Sequence, residues 1–187
     1  APSAPGRFGS GICFTHTITF IGHHCYPAVP LSPNRRRATT VGGLRVMLIV
    51  NAFASSVTAR NTVVVHRALS DGNGAEPNIV EVVETNRRGH ATRYAQDAAR
   101  RGIDIVIGFG GDGTLNEVAT GVAGSDTALG VLPGGSTNVF ARTLGMPNDP
   151  VEAVHQLAAG IAANRIEPIG LGKVNGRYFC FHTGVGY

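Results

Sequence analysis

The sequence predicts an α/β fold with a doubly wound parallel sheet, and two observations support that prediction. From Leu44 onward, short aliphatic and β-branched runs alternate with segments in which apolar residues recur at helical spacing. The runs are almost uniformly apolar, which is typical of strands covered on both faces. Strands that alternate with helices favour parallel pairing, right-handed crossovers and helices on both sides of the sheet.

Each predicted element has its own sequence signal. Aliphatic and β-branched runs predict strands at 44–50, 78–85, 103–109 and 128–132, and two further strands at 164–174 and 177–183 that meet at Asn175-Gly176. Apolar residues three and four apart predict helices at 58–70, 90–101, 115–122, 138–144 and 151–159. Gly102 directly follows the second of these helices, in the position where glycine commonly ends a helix.

Residues 1–43 differ from the rest of the chain in composition and in charge. They are rich in Pro, Gly and Ser and lack sustained periodicity, which predicts a disordered lead-in or an artefactual N-terminal segment. They contain no acidic residue, and Arg7, Arg35, Arg36 and Arg37 account for the whole excess of 16 Lys and Arg over 12 Asp and Glu. The α/β part is therefore neutral, so composition gives no support for nucleic-acid binding.

The cysteines and the apolar runs indicate the cellular compartment of the protein. Three cysteines make an odd count without repeated spacing, which argues against a disulfide framework and favours a reducing compartment, with the cytoplasm as the expectation. No apolar run approaches the roughly 18–20 residues that span a bilayer, so the sequence predicts no transmembrane segment.

Ligands of parallel sheets bind at the carboxyl ends of the strands. That rule selects the loops that follow Val50, Glu84, Phe109 and Leu132.

Two of these loops have the composition of phosphate-binding loops. The third reads GFGGDGT at 108–114 and leads from an apolar strand into a helix. Its glycines allow backbone amides to approach a phosphate, and the helix N-terminus adds partial positive charge. The fourth reads LPGGSTN at 132–138 and is built the same way. Two such loops at one sheet edge can hold a nucleoside triphosphate from both sides.

Asp112 favours phosphoryl transfer over hydride transfer. Gly108, Gly110 and Gly113 also match the dinucleotide pattern G-x-G-x-x-G, but that pattern belongs in the first βα unit with an acid about 20 residues on, where this chain has Pro133. A carboxylate beside phosphates is repelled unless a divalent cation bridges them or the carboxylate accepts a proton from an attacking hydroxyl.

Helix capping and turn formation are the alternative explanations for several of these residues. Thr114 and Glu117 have the spacing of a capping box, and Ser136 or Thr137 suits an N-cap. Asn51 and Thr85 are also residues of ordinary turns. The basic residues of the second loop and its helix are expected to form a solvated face, with anionic lipid as the alternative partner: Arg87, Arg88, Arg93, Arg100 and Arg101.

Three motifs together resemble the catalytic domain of the diacylglycerol kinase family, which includes bacterial lipid kinases and the sphingosine and ceramide kinases. The motifs are Thr85 with Gly89-His90-Ala91, GGDGTLNE at 110–117 and PGGSTNVFARTLGMPNDP at 133–150. They occur in order and at compatible spacing, and the resemblance covers about 44–187. GGDG alone is shared with NAD kinases and phosphofructokinases, whereas the segment 133–138 fits lipid kinases better.

The resemblance implies transfer of the γ-phosphoryl group of ATP, with Mg²⁺, to the hydroxyl of diacylglycerol or a related lipid at a membrane surface. It implies that 44–163 is the ATP-binding domain and that Asp112 is the catalytic carboxylate, orienting the lipid hydroxyl or the magnesium. The implied nucleotide-binding residues are Asn51, Thr85, Gly110, Gly111, Asp112, Gly113, Thr114, Leu115, Asn116, Glu117, Gly135, Ser136 and Asn138.

The sequence departs from the family pattern in the first loop and at its end. Asn51-Ala52 stands where the family usually has Asn-Pro, and Ser55-Ser56 where many members have Ser-Gly. Residues 164–187 resemble the beginning of the family's β-rich second domain, which holds much of the lipid pocket. The chain ends at Tyr187, so we expect this polypeptide alone to bind nucleotide weakly and to phosphorylate little lipid.

Two alternatives to a lipid kinase stay open: a kinase of a soluble acceptor such as NAD, and a nucleotide-binding module without catalysis. The resemblance implies a cytoplasmic protein that associates peripherally with the inner face of the membrane to reach its lipid substrate. It leaves open whether the protein is a homodimer.

Overall fold

A mixed sheet of seven strands organises the computed structural model, which describes residues 13–21, 43–72, 76–174 and 177–180. The strands are β1 (Cys13–Ile21), β2 (Arg45–Val50), β3 (Ile79–Glu84), β4 (Ile105–Gly110), β5 (Ala128–Pro133), β6 (Ile166–Val174) and β7 (Arg177–Phe179). The helices are α1 (Ala59–Ser70), α2 (His90–Arg100), α3 (Asp112–Val122), α4 (Val139–Thr143) and α5 (Pro150–Ala162). The strand order is β3-β2-β4-β5-β1-β6-β7.

Strands β3, β2, β4 and β5 pair in parallel and form the centre of the fold. Every residue of β4 and β5 is buried, and so is β2 beyond its first residue. The uniform apolar runs therefore reflect strands covered on both faces, and the predicted doubly wound α/β fold is confirmed.

Two glycines in neighbouring strands show that helices cover both faces. A Cβ atom on Gly108 of β4 would lie 2.9 Å from the Leu115 side chain of α3. A Cβ atom on Gly130 of β5 would lie 3.3 Å from the Leu157 side chain of α5. Gly108 pairs with Val131, the neighbour of Gly130, so the two glycines face opposite sides of the sheet. Helix α1 packs with α5, and α2 packs with α3.

Most predicted boundaries lie within two residues of the observed ones, and the exceptions have local causes. Helix α3 begins at Asp112, three residues before its first buried apolar residue, because apolar spacing marks only the inward face. Helix α5 begins within one residue of its predicted start, after the N-cap Asp149, but continues to Ala162, three residues past its predicted end, with Gly160 and Ile161 of the last turn buried. Gly102 has φ +66° and follows the last residue of α2, as predicted.

The prediction that residues 1–43 are disordered is wrong for 13–21, which form β1. This segment pairs antiparallel with β6 along most of its length and parallel with β5 at Thr19 and Phe20. Its sequence, CFTHTITFI, has threonine at positions 15, 17 and 19 and a high strand propensity. The Pro-, Gly- and Ser-rich composition of the surrounding residues obscured this strand signal. The rest of the predicted lead-in, 1–12 and 22–42, lies outside the described residues.

The two predicted C-terminal strands pair as an antiparallel hairpin. Strand β7 pairs with β6, with Phe179 opposite Gly172. Through β1, this hairpin continues the sheet that begins with the parallel strands. Residues 175–176, where the sequence predicts a turn, and residues 181–187 lie outside the described residues.

Helices α2 and α3 cross so closely that only a hydrogen fits between them at one point. A Cβ atom on Gly121 of α3 would lie 2.5 Å from the Cβ of Ala95 and 2.7 Å from the carbonyl oxygen of Thr92, both on α2. The hydroxyl of Thr92 also donates to the carbonyl of Glu117 (3.0 Å). This crossing fixes α3, and with it the loop that precedes α3, against the sheet.

We predict that Gly121→Ala destabilises the fold. The added methyl group must separate α2 and α3, so the free energy of unfolding is expected to fall by about 1–3 kcal/mol. The matched control is Gly113→Ala in the same helix, where a Cβ atom meets nothing within 4 Å. Because alanine favours helix, this control should leave stability unchanged or raise it by about 0.4–1 kcal/mol. Urea unfolding of both variants measures the difference, and equal midpoints would contradict the close crossing.

Candidate functional site

Four loops lie along the carboxyl edge of the parallel strands. The first (51–58) follows β2, the second (85–89) follows β3, the third (110–111) ends β4, and the fourth (134–138) follows β5. Because β4 lies between β2 and β5, the third loop has the first loop on one side and the fourth on the other. The loops selected from the sequence are therefore neighbours.

The glycine bends, Gly110-Gly111 and Gly134-Gly135, contact each other through their backbones. The amide of Gly134 donates to the carbonyl of Gly110 (2.9 Å). A Cβ atom on Gly134 would lie 2.8 Å from the Cα of Gly110, and one on Gly135 would lie 2.8 Å from the Cα of Gly111. No side chain fits at Gly134 or Gly135 without meeting the opposite bend, which explains why the fourth loop carries glycine there; a Cβ atom on Gly110 would instead lie 2.8 Å from the Thr114 side chain. The bends lie side by side, as predicted.

The first loop is tied to both bends. The amide of Asn51 donates to the carbonyl of Phe109, and its side-chain amide donates to the hydroxyl of Thr114 (both 2.9 Å). The amide of Ser56 donates to the carbonyl of Gly134 (2.8 Å). These bonds hold the first loop in place although Ala52 stands where a proline was expected.

A cleft opens between these loops and consists of two adjoining cavities of about 250 and 530 Å³. Both cavities are lined by Asn51, Arg88, Thr114 and Glu117. The larger cavity is completed by Ala54, Ser55, Gly111, Gly113, Gly135 and Ser136. The smaller cavity is completed by Phe53, Thr85, Asn86, Arg87 and Ala91.

Glu117 connects the cleft to the second loop. One of its carboxylate oxygens accepts a hydrogen bond from the amide of Gly89 (2.9 Å), which precedes α2. Helix α3 begins at Asp112 with Gly111 as its N-cap, so Thr114 and Glu117 lie inside the helix. The capping-box interpretation of Thr114 and Glu117 is therefore wrong. Their side chains instead join α3 to the first loop and to the start of α2.

Asp112 caps a different helix from its own. Its two carboxylate oxygens accept hydrogen bonds from the amides of Val139 (3.0 Å) and Phe140 (2.9 Å), at the start of α4. The N-cap of α4 is Asn138, which makes no side-chain cap, so the interpretation of Ser136 or Thr137 as N-caps is wrong. A carboxylate of α3 thus satisfies the first amides of α4 and joins the third loop to the fourth.

Cys180, after β7, lies close enough to Asp112 to be affected by its charge. Burial of the thiol, with a smaller contribution from the Asp112 carboxylate, raises the pKa of Cys180 to about 12. The thiol therefore stays protonated at neutral pH, which makes it a packing residue rather than a nucleophile.

Asn138 shapes the fourth loop from within. It is buried and adopts φ +49°, a left-handed conformation that asparagine tolerates better than most residues. Its side chain accepts from the amide of Gly135 (2.9 Å) and donates to the carbonyl of Gly135 (2.7 Å) and to Asn148 (2.8 Å). Both polar ends of this side chain are used inside the protein.

Comparison with known proteins agrees with this geometry. The family model of the diacylglycerol kinase catalytic domain matches residues 45–174, which include all four loops. The chain belongs to the diacylglycerol kinase catalytic domain family.

Relatives in this family are longer than this chain. It is 45% identical over 105 residues to a diacylglycerol kinase of Bacillus subtilis (strain 168), a match that covers 54% of this chain and 33% of the relative. It is 42% identical over 97 residues to a diacylglycerol kinase of Staphylococcus haemolyticus, covering 51% and 28%. The crystal structure of a diacylglycerol kinase from Bacillus anthracis superimposes with a TM-score of 0.61 at 33% identity, covering 72% of this chain and 44% of that one. The chain thus spans about a third of the length of the curated relatives that it matches.

The structure places most of the residues implied by the family resemblance at the cleft. Eight line it: Asn51, Thr85, Gly111, Gly113, Thr114, Glu117, Gly135 and Ser136. Gly110 lies behind them in the contact between the bends. The other four have contacts elsewhere. Leu115 is fully buried in the core, the Asn116 side chain donates to the carbonyl of Tyr178 (3.0 Å), and Asp112 and Asn138 hold the start of α4 and the fourth loop.

Arg88 lines both cavities, although the sequence indicated only a solvated face for it. It is exposed and forms no ion pair within the described part of the chain. The signal that could have found it is its position in the second loop, because that loop lies at the same sheet edge as the glycine bends.

Neither a metal-binding cluster nor a membrane-spanning helix is found among the described residues. No three His, Cys, Asp or Glu side chains in these parts of the chain gather into a metal-binding cluster. No helix among them is long and apolar enough to span a bilayer.

We predict that Asp112→Ala destabilises the fold by about 1–2 kcal/mol, because the first amides of α4 lose their acceptors. The matched control is Asp126→Ala, an exposed acid in a turn for which no hydrogen bond is seen, and it should change stability by less than about 0.5 kcal/mol. Thermal unfolding monitored by circular dichroism measures both. A control as destabilised as Asp112→Ala would contradict the capping role.

Proposed function

We propose that this chain is the nucleotide-binding part of an ATP-dependent lipid kinase, which transfers a phosphoryl group to the hydroxyl of diacylglycerol or a related lipid. The observation that carries the proposal is the backbone contact of the glycine bends at the edge of the cleft. Membership of the diacylglycerol kinase catalytic domain family supports the class of acceptor.

The shape and polarity of the cleft suit a chain of phosphates. The bends leave a surface of bare backbone, since a Cβ atom on Gly135 would meet Gly111. No side chain caps the N-terminus of α3, so phosphate oxygens can accept hydrogen bonds from its first amides and gain from the helix dipole. Arg88 supplies positive charge at the same cleft.

Polar side chains around the bends complete the proposed nucleotide site. Thr85 and Ser136 line the cleft from the second and fourth loops, and Asn51 lines it from the first. Mg²⁺ is commonly held by substrate phosphates and one or two carboxylates, a set that needs no cluster of three acids. Glu117 is the carboxylate that lines the cleft. ATP supplies the phosphoryl group, and the protein contributes positioning and charge neutralisation.

Asp112 is our proposed acceptor-orienting residue. Each of its oxygens accepts one amide from α4 and keeps a second lone pair, with which it can accept a hydrogen bond from a lipid hydroxyl. Asn116, one turn after Asp112 on α3, donates to the carbonyl of Tyr178 in β7, so this carboxylate lies toward the β7 side of α3. We therefore propose that the lipid approaches from that side, with its hydroxyl toward the cleft.

Gly135→Ala is predicted to weaken binding of ATP by about tenfold or more, because the new methyl group pushes the glycine bends apart. Gly170→Ala is the matched control, since a Cβ atom there meets nothing within 4 Å and Gly170 lies in β6, away from the cleft. Isothermal titration calorimetry with MgATP measures both affinities, and urea unfolding confirms that both variants are folded. Equal affinities in a folded Gly135→Ala variant would exclude the bends as the phosphate site.

Asp112→Asn is predicted to lower Mg²⁺-dependent phosphorylation of diacylglycerol by about a hundredfold or more, because the amide is a poor proton acceptor. ATP affinity should fall much less, by about threefold to tenfold, because Asp112 does not line the cleft, although the NH2 group of asparagine cannot accept from one of the two α4 amides. Labelled ATP and diacylglycerol micelles, with a protein that contains this chain, provide the assay. A nucleotide-binding module without catalysis would bind ATP and form no product in either variant, which would refute the kinase assignment.

A further inference from the structure

Arg87, which lines the smaller cavity, is hydrogen-bonded to a histidine outside that cavity, an arrangement that the family resemblance does not explain. The Nε of Arg87, in the second loop, donates to the Nε2 of His90, the first residue of α2, at 2.6 Å. Arg87 lines this cavity, whereas His90 lies behind it. Since Nε is the only guanidinium nitrogen used, the two terminal nitrogens of Arg87 retain their N–H groups for a ligand.

Packing against Tyr94 restricts the orientation of the imidazole. Its Nδ1 is buried without a hydrogen-bond partner in the described structure, and its ring packs edge-on against Tyr94 with centroids 5.8 Å apart. The amide of His90 also donates to the carbonyl of Arg87 (3.3 Å). A long arginine side chain loses considerable rotamer entropy when it is ordered. A fixed imidazole acceptor removes part of that loss before any ligand binds.

The bond requires a neutral imidazole. An Nε2 that accepts a hydrogen bond from a guanidinium cannot carry a proton, so the remaining proton of the ring is on Nδ1. When the ring gains a second proton, Nε2 becomes a donor and two cations face each other at hydrogen-bond distance, which repels Arg87 from its position. Histidine is the side chain that ordinarily changes its charge between pH 5 and 8.

No acid is placed to cancel that repulsion by a direct ion pair. Arg87 is the charged group hydrogen-bonded to the imidazole, Glu117 of α3 reaches the neighbouring amide of Gly89, and on α2 itself Tyr94 packs against the ring and Arg93 lies one turn later. Glu117 is engaged with the amide of Gly89 and forms no ion pair within the described residues. Protonation of His90 therefore acts mainly on Arg87.

We infer that His90 is a positioning residue that holds Arg87 in the cleft as a ligand for the terminal phosphates of a nucleotide, and that it makes nucleotide affinity pH-dependent. This inference rests on the proposed function, because it assumes that the cleft binds polyphosphate. It adds His90, a residue that does not line the cleft, to the proposed site. It also predicts that nucleotide affinity depends on pH, which the glycine bends alone would not cause.

The test compares the MgATP affinity of four proteins at pH 8.0 and pH 5.5: the unmodified chain, His90→Gln, His90→Ala and Arg87→Gln. Glutamine offers an uncharged acceptor near the position of Nε2, so His90→Gln should bind like the unmodified chain at pH 8.0. On lowering the pH, the unmodified chain should lose about threefold to tenfold more affinity than His90→Gln, because only its acceptor is protonated. Both proteins meet the same ligand, so protonation of ATP itself cancels in this comparison.

A double-mutant cycle separates positioning from a structural role. At pH 8.0, His90→Ala should lower the affinity about threefold to tenfold in the unmodified background and by less than about 1.5-fold in the Arg87→Gln background. Arg100→Gln, an exposed arginine in the last turn of the same helix that does not line either cavity, is the control and should change neither affinity nor pH profile. Thermal unfolding confirms that each variant is folded at both pH values.

The outcomes distinguish this inference from the proposed function. Parallel pH profiles for the unmodified chain and His90→Gln, or an equal loss from His90→Ala in both backgrounds, would overturn the role of His90 and leave nucleotide binding intact. A chain that binds no ATP at either pH would overturn both.

Discussion

The contact between the two glycine bends is the constraint on which the site depends. Gly134 donates to Gly110, and Gly135 approaches Gly111 more closely than any side chain permits. The contact brings two helix starts to one place, because α3 and α4 each begin within a few residues of a bend. Strand order alone would make these loops neighbours. The absence of side chains turns neighbouring loops into one continuous backbone surface.

Around this contact, polar side chains mainly connect elements rather than cap their own helices. Asp112 of α3 satisfies the start of α4, Glu117 of α3 satisfies the amide before α2, and Asn51 reaches Thr114. Each bond joins two loops that are distant in sequence. A buried or half-buried polar group stabilises most when its partner would otherwise be unsatisfied, and helix starts provide such partners. The loops therefore support one another, and α3 is the element that they share.

The sequence was sufficient for the elements whose signal is local. Buried parallel strands give uniform apolar runs, and Gly102 ends α2 because a left-handed residue is needed there. The contact between the bends was also predictable, since parallel strands bring their carboxyl ends to one edge. The strand β1 was missed because short alternating patterns carry little weight inside a segment whose composition indicates disorder.

The partners of the polar side chains could not be predicted in the same way. Thr114 and Glu117 have the spacing of a capping box, and the sequence alone does not show at which residue the helix begins. The start of α3 at Asp112 excludes the capping box. Arg88 and the pair of Arg87 with His90 depend on how the second loop turns toward the cleft, which no periodicity encodes. Asn116 and Leu115 belong to a phosphate-loop motif, yet they contact β7 and the core because successive helix residues face different sides.

The hydrogen bond from Asn116 to Tyr178 gives α3 a second attachment, at the opposite side from the cleft-lining Thr114 and Glu117. A helix of 11 residues moves as a rod, so a tilt imposed at one side appears at the other. Anything that pulls on the β6–β7 hairpin therefore shifts the floor of the cleft through α3. The hairpin and the cleft are thus coupled through one helix, whose C-terminal end is held by the tight α2–α3 crossing at Gly121.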